Sequence, residues 1–365
     1  MTILVIAQHL MISFGGLGVW YYKEATQYTG MQIVNYNFVQ LFIQSFFLSV
    51  LFAISGYFIP ASYDSKGFSR LAKEKLVRLG VPTLIFMFVL HPIINYAVLR
   101  REPFTIPSFL QYIYGFTFID KSGPLWYAIV LLVFSIAYAA FRKISRARPT
   151  SPESGKEGKP FPITPKILLF IVLMSICTLL IRIVQPMGTR VANIPIGFVP
   201  QYALMFIVGI ICRRNGWLEK LYLSKGLPWL LVCLAIGYNW WYFMIAVMNA
   251  YGSDFSLLLG GTSWQAASYA LWESYISVSM TIGLVALFKA KLNKQNRLVK
   301  AMAENAFAVF VFNSPIIIAF AAIAGSVDAS QIAKLLVLIP VSVVASFLFA
   351  HFVIRKIPAL KKLLA

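Results

Sequence analysis

The sequence predicts an all-α protein, a polytopic transmembrane helical bundle of about ten spans that forms a single domain over residues 1–365. Hydrophobic residues make up 59% of the chain and charged residues only 12%. A soluble domain carries about a quarter of charged residues, so a soluble fold is excluded. The apolar runs are about 20 residues long, which suits helices that cross a bilayer and is too long for the strands of a membrane barrel.

Each predicted span is an apolar run bounded by charged residues, Gly or Pro. The first run lacks the basic region and the small-residue cleavage site of a signal peptide, so we expect it to remain as a span. A segment rich in Ser, Pro, Gly and Lys near 146–165 predicts a flexible cytoplasmic linker between the fourth and fifth spans. The predicted spans are 2–21, 37–60, 80–99, 123–141, 167–184, 198–213, 227–248, 266–288, 304–323 and 331–352.

The cations predict the orientation of the bundle. Of the 32 Lys and Arg residues, 25 fall in one set of alternate loops and at the C-terminus, 6 fall in the opposite loops, and Arg182 lies inside a span. Loops rich in Lys and Arg face the cytoplasm. With ten spans, both termini are then cytoplasmic. This clustering between apolar spans also argues against a nucleic-acid partner and is compatible with contacts to membrane lipids.

His9 is an ionisable residue within the first apolar run. Such a residue is costly in hydrocarbon unless it faces a cavity or a partner, and it therefore indicates a functional site. Because the ordinary pKa of imidazole, about 6.5, lies near physiological pH, proton transfer is the role that fits best. Packing between helices is an equally plausible role from position alone. His91 and His351 lie at span ends, where contact with the membrane interface explains them.

Glu273 and Arg182 are the only acidic and basic residues well inside predicted spans. A carboxylate at that depth is expected to be paired, protonated or facing water. The two side chains are candidates for an ion pair, either purely structural or forming a polar wall of a substrate cavity.

Lys75 and Arg78 follow the second span and share a face if the segment is α-helical. This pair is either a topology anchor or a site for a phosphorylated ligand that arrives from the cytoplasm. The run Gly123–Tyr127 contains Trp126 and is typical of a Pro-initiated helix start at the membrane interface.

Together these segments resemble the membrane acyltransferase-3 family, and most closely its branch of glucan biosynthesis protein C-like acyl transferases. The resemblance covers nearly the whole chain and depends on the order and spacing of its parts. The segments that carry it are His9 with Phe14–Tyr22, Ser55–Pro60, Lys75–Pro82, Gly123–Tyr127, Arg182, Gln201–Gly209, Arg213–Trp217, Trp272–Glu273, Asn305–Phe310 and Arg355–Pro358.

The resemblance implies transfer of an acyl group, acetyl or succinyl, from acyl-CoA to a hydroxyl of a cell-envelope glycan or a lipid-linked acceptor. Acyl-CoA is then a co-substrate, no bound cofactor is expected, and the protein belongs in the bacterial inner membrane. Asn313 stands where the family commonly has a histidine. The expected site residues are His9 and Glu273 for catalysis, Lys75 and Arg78 for donor binding, and Arg182, Trp126 and Asn313 in the substrate cavity.

Two other functions remain open from the sequence. A transporter or flippase for a lipid-linked or anionic solute would use the same buried polar residues as a substrate pathway. An inactive family member is the other alternative. The three Cys and three His residues form no ligand pattern, so no protein-bound metal is expected.

Overall fold

The structure is a computed structural model that describes residues 1–100, 105–145, 159–248, 256–294 and 296–364. Within these ranges 83% of the residues are helical and no β-strand forms, which confirms the predicted all-α class. Most of the predicted linker at 146–165 lies outside the described residues, so its flexibility stays a prediction. The α-helices are α1 Thr2–Ser13, α2 Met31–Lys75, α3 Val81–Ile85, α4 Ile106–Tyr114, α5 Trp126–Ser145, α6 Thr164–Val184, α7 Val199–Asn215, α8 Trp217–Lys220, α9 Leu223–Met248, α10 Ser256–Leu259, α11 Trp264–Lys291, α12 Arg297–Gly325, α13 Gln331–Phe352 and α14 Pro358–Leu364.

Eight helical runs of the described chain are long and apolar enough to cross a membrane. Seven of them contain or closely match the predicted spans from 123–141 onward. The eighth, Met31–Val98, contains the second predicted span and all but the last residue of the third. The protein is therefore an integral membrane protein, whereas the number of about ten spans stays a prediction.

The first predicted span, 2–21, is longer than the helix that forms. Helix α1 ends at Ser13 after 12 residues. The following run is still apolar, but Gly15 has φ +94° and Gly18 has φ +120°, which is backbone that a helix does not adopt. At 1.5 Å per residue, α1 extends only about 18 Å, well short of a membrane core. Residues 14–30 therefore form irregular backbone, which we call the post-α1 segment.

The helical run Met31–Val98 is interrupted at Gly67, whose φ of 69° and ψ of −179° are not helical. Beyond α2 the run continues through π-helical turns, including Leu76–Gly80. The α-helical spacing that would place Lys75 and Arg78 on one face therefore does not apply between them. Leu48 lies before Gly67 and His91 lies after it, and both residues line one large cavity of the protein. The helical run must therefore reverse direction between these two residues.

Helix α2 lies at the centre of the bundle and packs against α5, α7 and α11. Its closest approach is to α7, at a reciprocal pair of glycines. A side chain at Gly56 would collide with the carbonyl of Phe206, and one at Gly209 with the carbonyl of Ala53. Small residues of this kind let membrane helices pack with their backbones in contact. Helix α12 contacts both α1 and α13, which places α1 against the same core.

Candidate active site

His9 is covered by an indole ring from the post-α1 segment. The rings of His9 and Trp20 are stacked, with their centroids 3.8 Å apart and their planes 13° from parallel. Nδ1 of His9 is buried and has no hydrogen-bond partner among the described residues. The stacking fixes the plane of the imidazole while one ring nitrogen keeps its hydrogen-bonding capacity.

Gln40 of α2 holds the post-α1 segment in place. Its Oε1 accepts from the backbone N–H of Leu17 at 2.8 Å, and its Nε2 donates to the carbonyl of Leu17 at 2.6 Å. Gln40 is only 1% exposed. Irregular backbone at membrane depth is tolerated only where its polar groups find partners in the protein, and Gln40 supplies both.

A second anchor joins the far end of the same segment to α13. Lys334 Nζ lies 3.1 Å from a carboxylate oxygen of Glu24, and Gln331 donates to the carbonyl of Ala25 at 2.8 Å. Burial and the Glu24 carboxylate raise the pKa of Tyr22 to about 12, so its hydroxyl stays protonated and donates to Glu24. Polar contacts to other helices therefore fix the post-α1 segment on both sides of Trp20.

A cavity of about 720 Å³, which we call the His9 cavity, lies beside this histidine. Its volume is within the range of about 300–1,000 Å³ that is usual for small-molecule sites. The wall combines α1 and α2 with the post-α1 segment, the connection before α5 and the connection between α6 and α7. Its aromatic lining includes Trp20, Tyr21, Tyr112, Trp126 and Phe198.

Several polar side chains converge on the His9 cavity. Gln8 and Gln44 lie in its wall and contact each other, with Nε2 of Gln8 3.4 Å from Oε1 of Gln44. Arg190 enters from the connection between α6 and α7 and donates to Oδ1 of Asn193 at 3.0 Å. Asn193 in turn donates to Ser122 at 2.8 Å, which ties this connection to the start of the fourth predicted span. The cavity therefore offers neutral and cationic hydrogen-bond donors around an aromatic wall.

His91, which the sequence places at the end of a predicted span, lies in the wall of the His9 cavity. The hydroxyl of Tyr21 is 2.8 Å from Nδ1 of His91, and the ring of Tyr112 stacks on the imidazole at 5.6 Å. Tyr21 directly follows Trp20, so the contacts run from His9 through Trp20 and Tyr21 to His91.

The sequence-predicted site residues divide into two groups. His9 and Trp126 line the His9 cavity. Arg182 and Glu273 form an ion pair with Nη2 2.6 Å from Oε2, at 1% and 0% side-chain exposure. They do not line this cavity, because the guanidinium is directed at Glu273 and at the carbonyl of Gly197.

The other three predicted residues also lie outside the cavity wall. Asn313 donates to the carbonyls of Val309 and Phe310 in its own helix, and of these residues only Phe310 lines the cavity. Lys75 and Arg78 lie beyond Gly67, where Arg78 is paired with Glu74 at 3.7 Å. The basic pair and the His9 cavity are therefore separate sites.

The comparison with known families decides the class of chemistry. The family described as an acyltransferase domain matches residues 1–351, nearly the whole chain. The chain belongs to the acyltransferase-3 family. It is therefore a membrane acyltransferase that acts on groups other than amino-acyl groups. No curated protein and no solved structure matches this acyltransferase.

Proposed function

We propose that this acyltransferase moves an acetyl or succinyl group from acyl-CoA to a hydroxyl of a cell-envelope glycan or a lipid-linked acceptor, as the glucan biosynthesis protein C-like branch would imply. One observation carries the proposal. His9, the one ionisable side chain of α1, borders a substrate-sized cavity in a chain of the acyltransferase-3 family.

In this mechanism His9 is the general base. Neutral His9 takes the proton from the acceptor hydroxyl as its oxygen attacks the thioester carbonyl, and it returns that proton to the departing sulfur of CoA. Positioned proton transfer of this kind contributes about 10²–10⁴-fold to the rate. The stacked Trp20 supports the role because it holds the imidazole plane fixed during both transfers. Acyl-CoA is a co-substrate here, and no bound cofactor is invoked.

We place the acceptor on the outer side of a bacterial inner membrane, with both termini in the cytoplasm. Three of the segments that line the cavity belong to the loops that carry few cations, which supports an external opening. Aromatic side chains such as Trp126 provide flat faces for sugar rings, and the amides of Gln8 and Gln44 provide hydrogen bonds to hydroxyls.

We place the CoA phosphates near Lys75 and Arg78. His91 lies 13 positions after Arg78 along the chain, which is roughly 20 Å along a helix at 1.5 Å per residue. A donor that is held at the basic pair would therefore extend along this run to present its thioester near the cavity. An arginine suits phosphate oxygens because its guanidinium makes two parallel hydrogen bonds.

Arg182 and Glu273 fit a positioning role in this scheme. Arg182 donates to the carbonyl of Gly197 at 3.0 Å, and its guanidinium lies 4.8 Å over the ring of Phe198. Phe198 lines the cavity, so the ion pair supports its wall from behind. Asn313 lies behind the wall in the same way, through Phe310.

The test is transfer of label in proteoliposomes that contain the purified protein. Radiolabelled acetyl-CoA or succinyl-CoA is supplied with a glucan oligosaccharide, and the acylated oligosaccharide is counted. We expect label on the oligosaccharide with wild type and with His351→Ala, since His351 does not line the cavity, and about 10²-fold less with His9→Ala. Movement of unmodified oligosaccharide without label transfer would favour the transporter alternative and contradict the proposal.

A further inference from the structure

We propose that Arg190 is a specificity-determining residue of the His9 cavity, which binds a carboxylate carried by one of the two substrates. The carboxylate is either the free end of a dicarboxylic acyl group such as succinyl or an acidic group of the acceptor. This inference rests on the proposed function, because it names the chemical class of substrate that the same cavity takes.

The guanidinium of Arg190 belongs to the cavity wall and keeps an unbalanced charge there. Asp120 is the one carboxylate that the described residues place in this wall, and no ion pair joins it to Arg190 within the described ranges. Partial desolvation accordingly lowers the pKa of Arg190. An anionic ligand would supply the missing partner charge.

Arg190 also keeps hydrogen-bonding capacity. Its hydrogen bonds within the described ranges go to two neutral oxygens, Oδ1 of Asn193 at 3.0 Å and the carbonyl of Val19 at 3.3 Å. A guanidinium carries more N–H donors than these two bonds use. The remaining donors suit a carboxylate, whose two oxygens match the planar fork of an arginine.

The turn that follows Arg190 fixes the direction of its guanidinium. Val191 and Ile194 exchange backbone hydrogen bonds at 3.0 and 2.9 Å, and the two residues between them have φ of +48° and +62°. The side chain of Asn193, in this turn, accepts from Arg190 and donates to Ser122 at 2.8 Å. The cation is therefore held in place before a ligand arrives, which lowers the entropic cost of binding.

The bond to Val19 places the cation close to the proposed base. Val19 directly precedes Trp20 in the post-α1 segment, and Trp20 stacks on His9 at 3.8 Å. This arrangement suits a carboxylate on the acyl group or on the acceptor, since both groups have to approach His9 for the reaction.

Lys23 offers a matched control for the loss of a positive charge. It lies in the post-α1 segment, donates to the carbonyl of Gly18 at 3.1 Å and does not line the cavity. Lys23→Gln therefore removes a nearby cation but leaves the proposed carboxylate ligand in place.

The experiment measures kcat/KM in the label-transfer assay for four donor–acceptor pairs. The donor is acetyl-CoA or succinyl-CoA. The acceptor is a neutral glucan oligosaccharide or the same oligosaccharide with its reducing end oxidised to a carboxylate. The carboxylate preference is kcat/KM with a carboxylate-bearing substrate divided by kcat/KM with its neutral counterpart.

Arg190→Gln is expected to lower one carboxylate preference about 10- to 150-fold, which is the contribution of a charge-assisted contact. Arg190→Lys is expected to lower it by less, but by more than about threefold, because an ammonium keeps the charge and loses the planar fork. Lys23→Gln is expected to keep both preferences within about threefold of wild type, because its charge lies outside the cavity.

The pattern of losses in Arg190→Gln decides the source of the carboxylate. A fall confined to succinyl-CoA identifies the acyl group, and a fall confined to the oxidised oligosaccharide identifies the acceptor; either result supports the inference. Equal losses with all four pairs would assign Arg190 a structural role or a contact with CoA itself, and would overturn it. An equal fall of preference in Lys23→Gln would overturn it too.

Two further outcomes keep the test decisive. If Arg190→Gln does not fold, Arg190→Lys decides, since wild-type preferences in that variant overturn the inference. Absence of transfer by wild type with every pair overturns the proposed function and this inference with it. Transfer that requires His9, beside unchanged preferences in Arg190→Gln, overturns this inference alone.

Discussion

Replacing Gln40 by Leu is expected to release the post-α1 segment and to lower both stability and activity. Gln40 satisfies the N–H and the carbonyl of Leu17 at 2.8 and 2.6 Å, in a position that is only 1% exposed. Leucine has a similar size but no polar atoms, so both backbone groups lose their partner. Leu17 is half-buried and lines the cavity, so each lost hydrogen bond costs about 0.5–1.5 kcal/mol, which gives a loss of about 1–3 kcal/mol for the pair.

The free energy of unfolding can be measured by titration with SDS in mixed micelles. Gln44→Leu is the matched control for stability, since Gln44 lies one turn further along α2 and makes only long side-chain contacts of 3.4 and 3.5 Å. Such long contacts are weak, so we expect its loss to stay below about 0.5 kcal/mol. Acyl transfer by Gln40→Leu is expected to fall as well, because Trp20 would no longer be held over His9. Equal unfolding free energies for Gln40→Leu and wild type, with full activity, would refute this account of the segment.

Three further predictions concern the donor site, the buried ion pair and the topology. Arg78→Ala is expected to weaken acyl-CoA binding roughly 10- to 150-fold, since a charge-assisted contact contributes about 1.5–3 kcal/mol. Arg78→Lys is expected to recover only part of the lost affinity. Equal acyl-CoA affinity of wild type and both variants, measured in detergent, would leave Arg78 as a topology anchor. Glu273→Gln is expected to lower the unfolding free energy by about 3–5 kcal/mol, because the charge of Arg182 would be buried without its partner. The control Glu219→Gln, at an exposed position, should change the unfolding free energy by less than about 1 kcal/mol. Similar losses in both variants would contradict a stabilising role for the buried ion pair. A reporter fused at Ala365 is expected to be cytoplasmic, and an external signal there would overturn the ten-span topology.

The fold class was predictable from the sequence because hydropathy and run length depend only on local composition. The same property made the first predicted span too long. Leu17, Val19 and Trp20 continue the apolar run beyond Ser13, whereas the structure turns away from the helix at Gly15. The cluster of glycines at 15, 16 and 18 was the available signal, since such clusters mark turns.

The catalytic candidate His9 was predictable because an ionisable residue is conspicuous within an apolar run. His91 and Tyr21 were not, because their meeting depends on tertiary structure: they are 70 residues apart, and one of them lies in irregular backbone. Arg190 was counted as a loop cation for the same reason, although it lines the cavity. The pairing of Arg182 with Glu273 was predictable, because a lone buried charge is costly. The position of the pair behind the cavity wall was not predictable from the sequence.

The most direct test of the central claim is the rate of label transfer from acyl-CoA by His9→Ala relative to wild type, with membrane insertion verified for both proteins. The general-base mechanism predicts a fall of at least about 10²-fold for His9→Ala, while His351→Ala remains at the wild-type rate. Unaltered transfer by His9→Ala would contradict the mechanism.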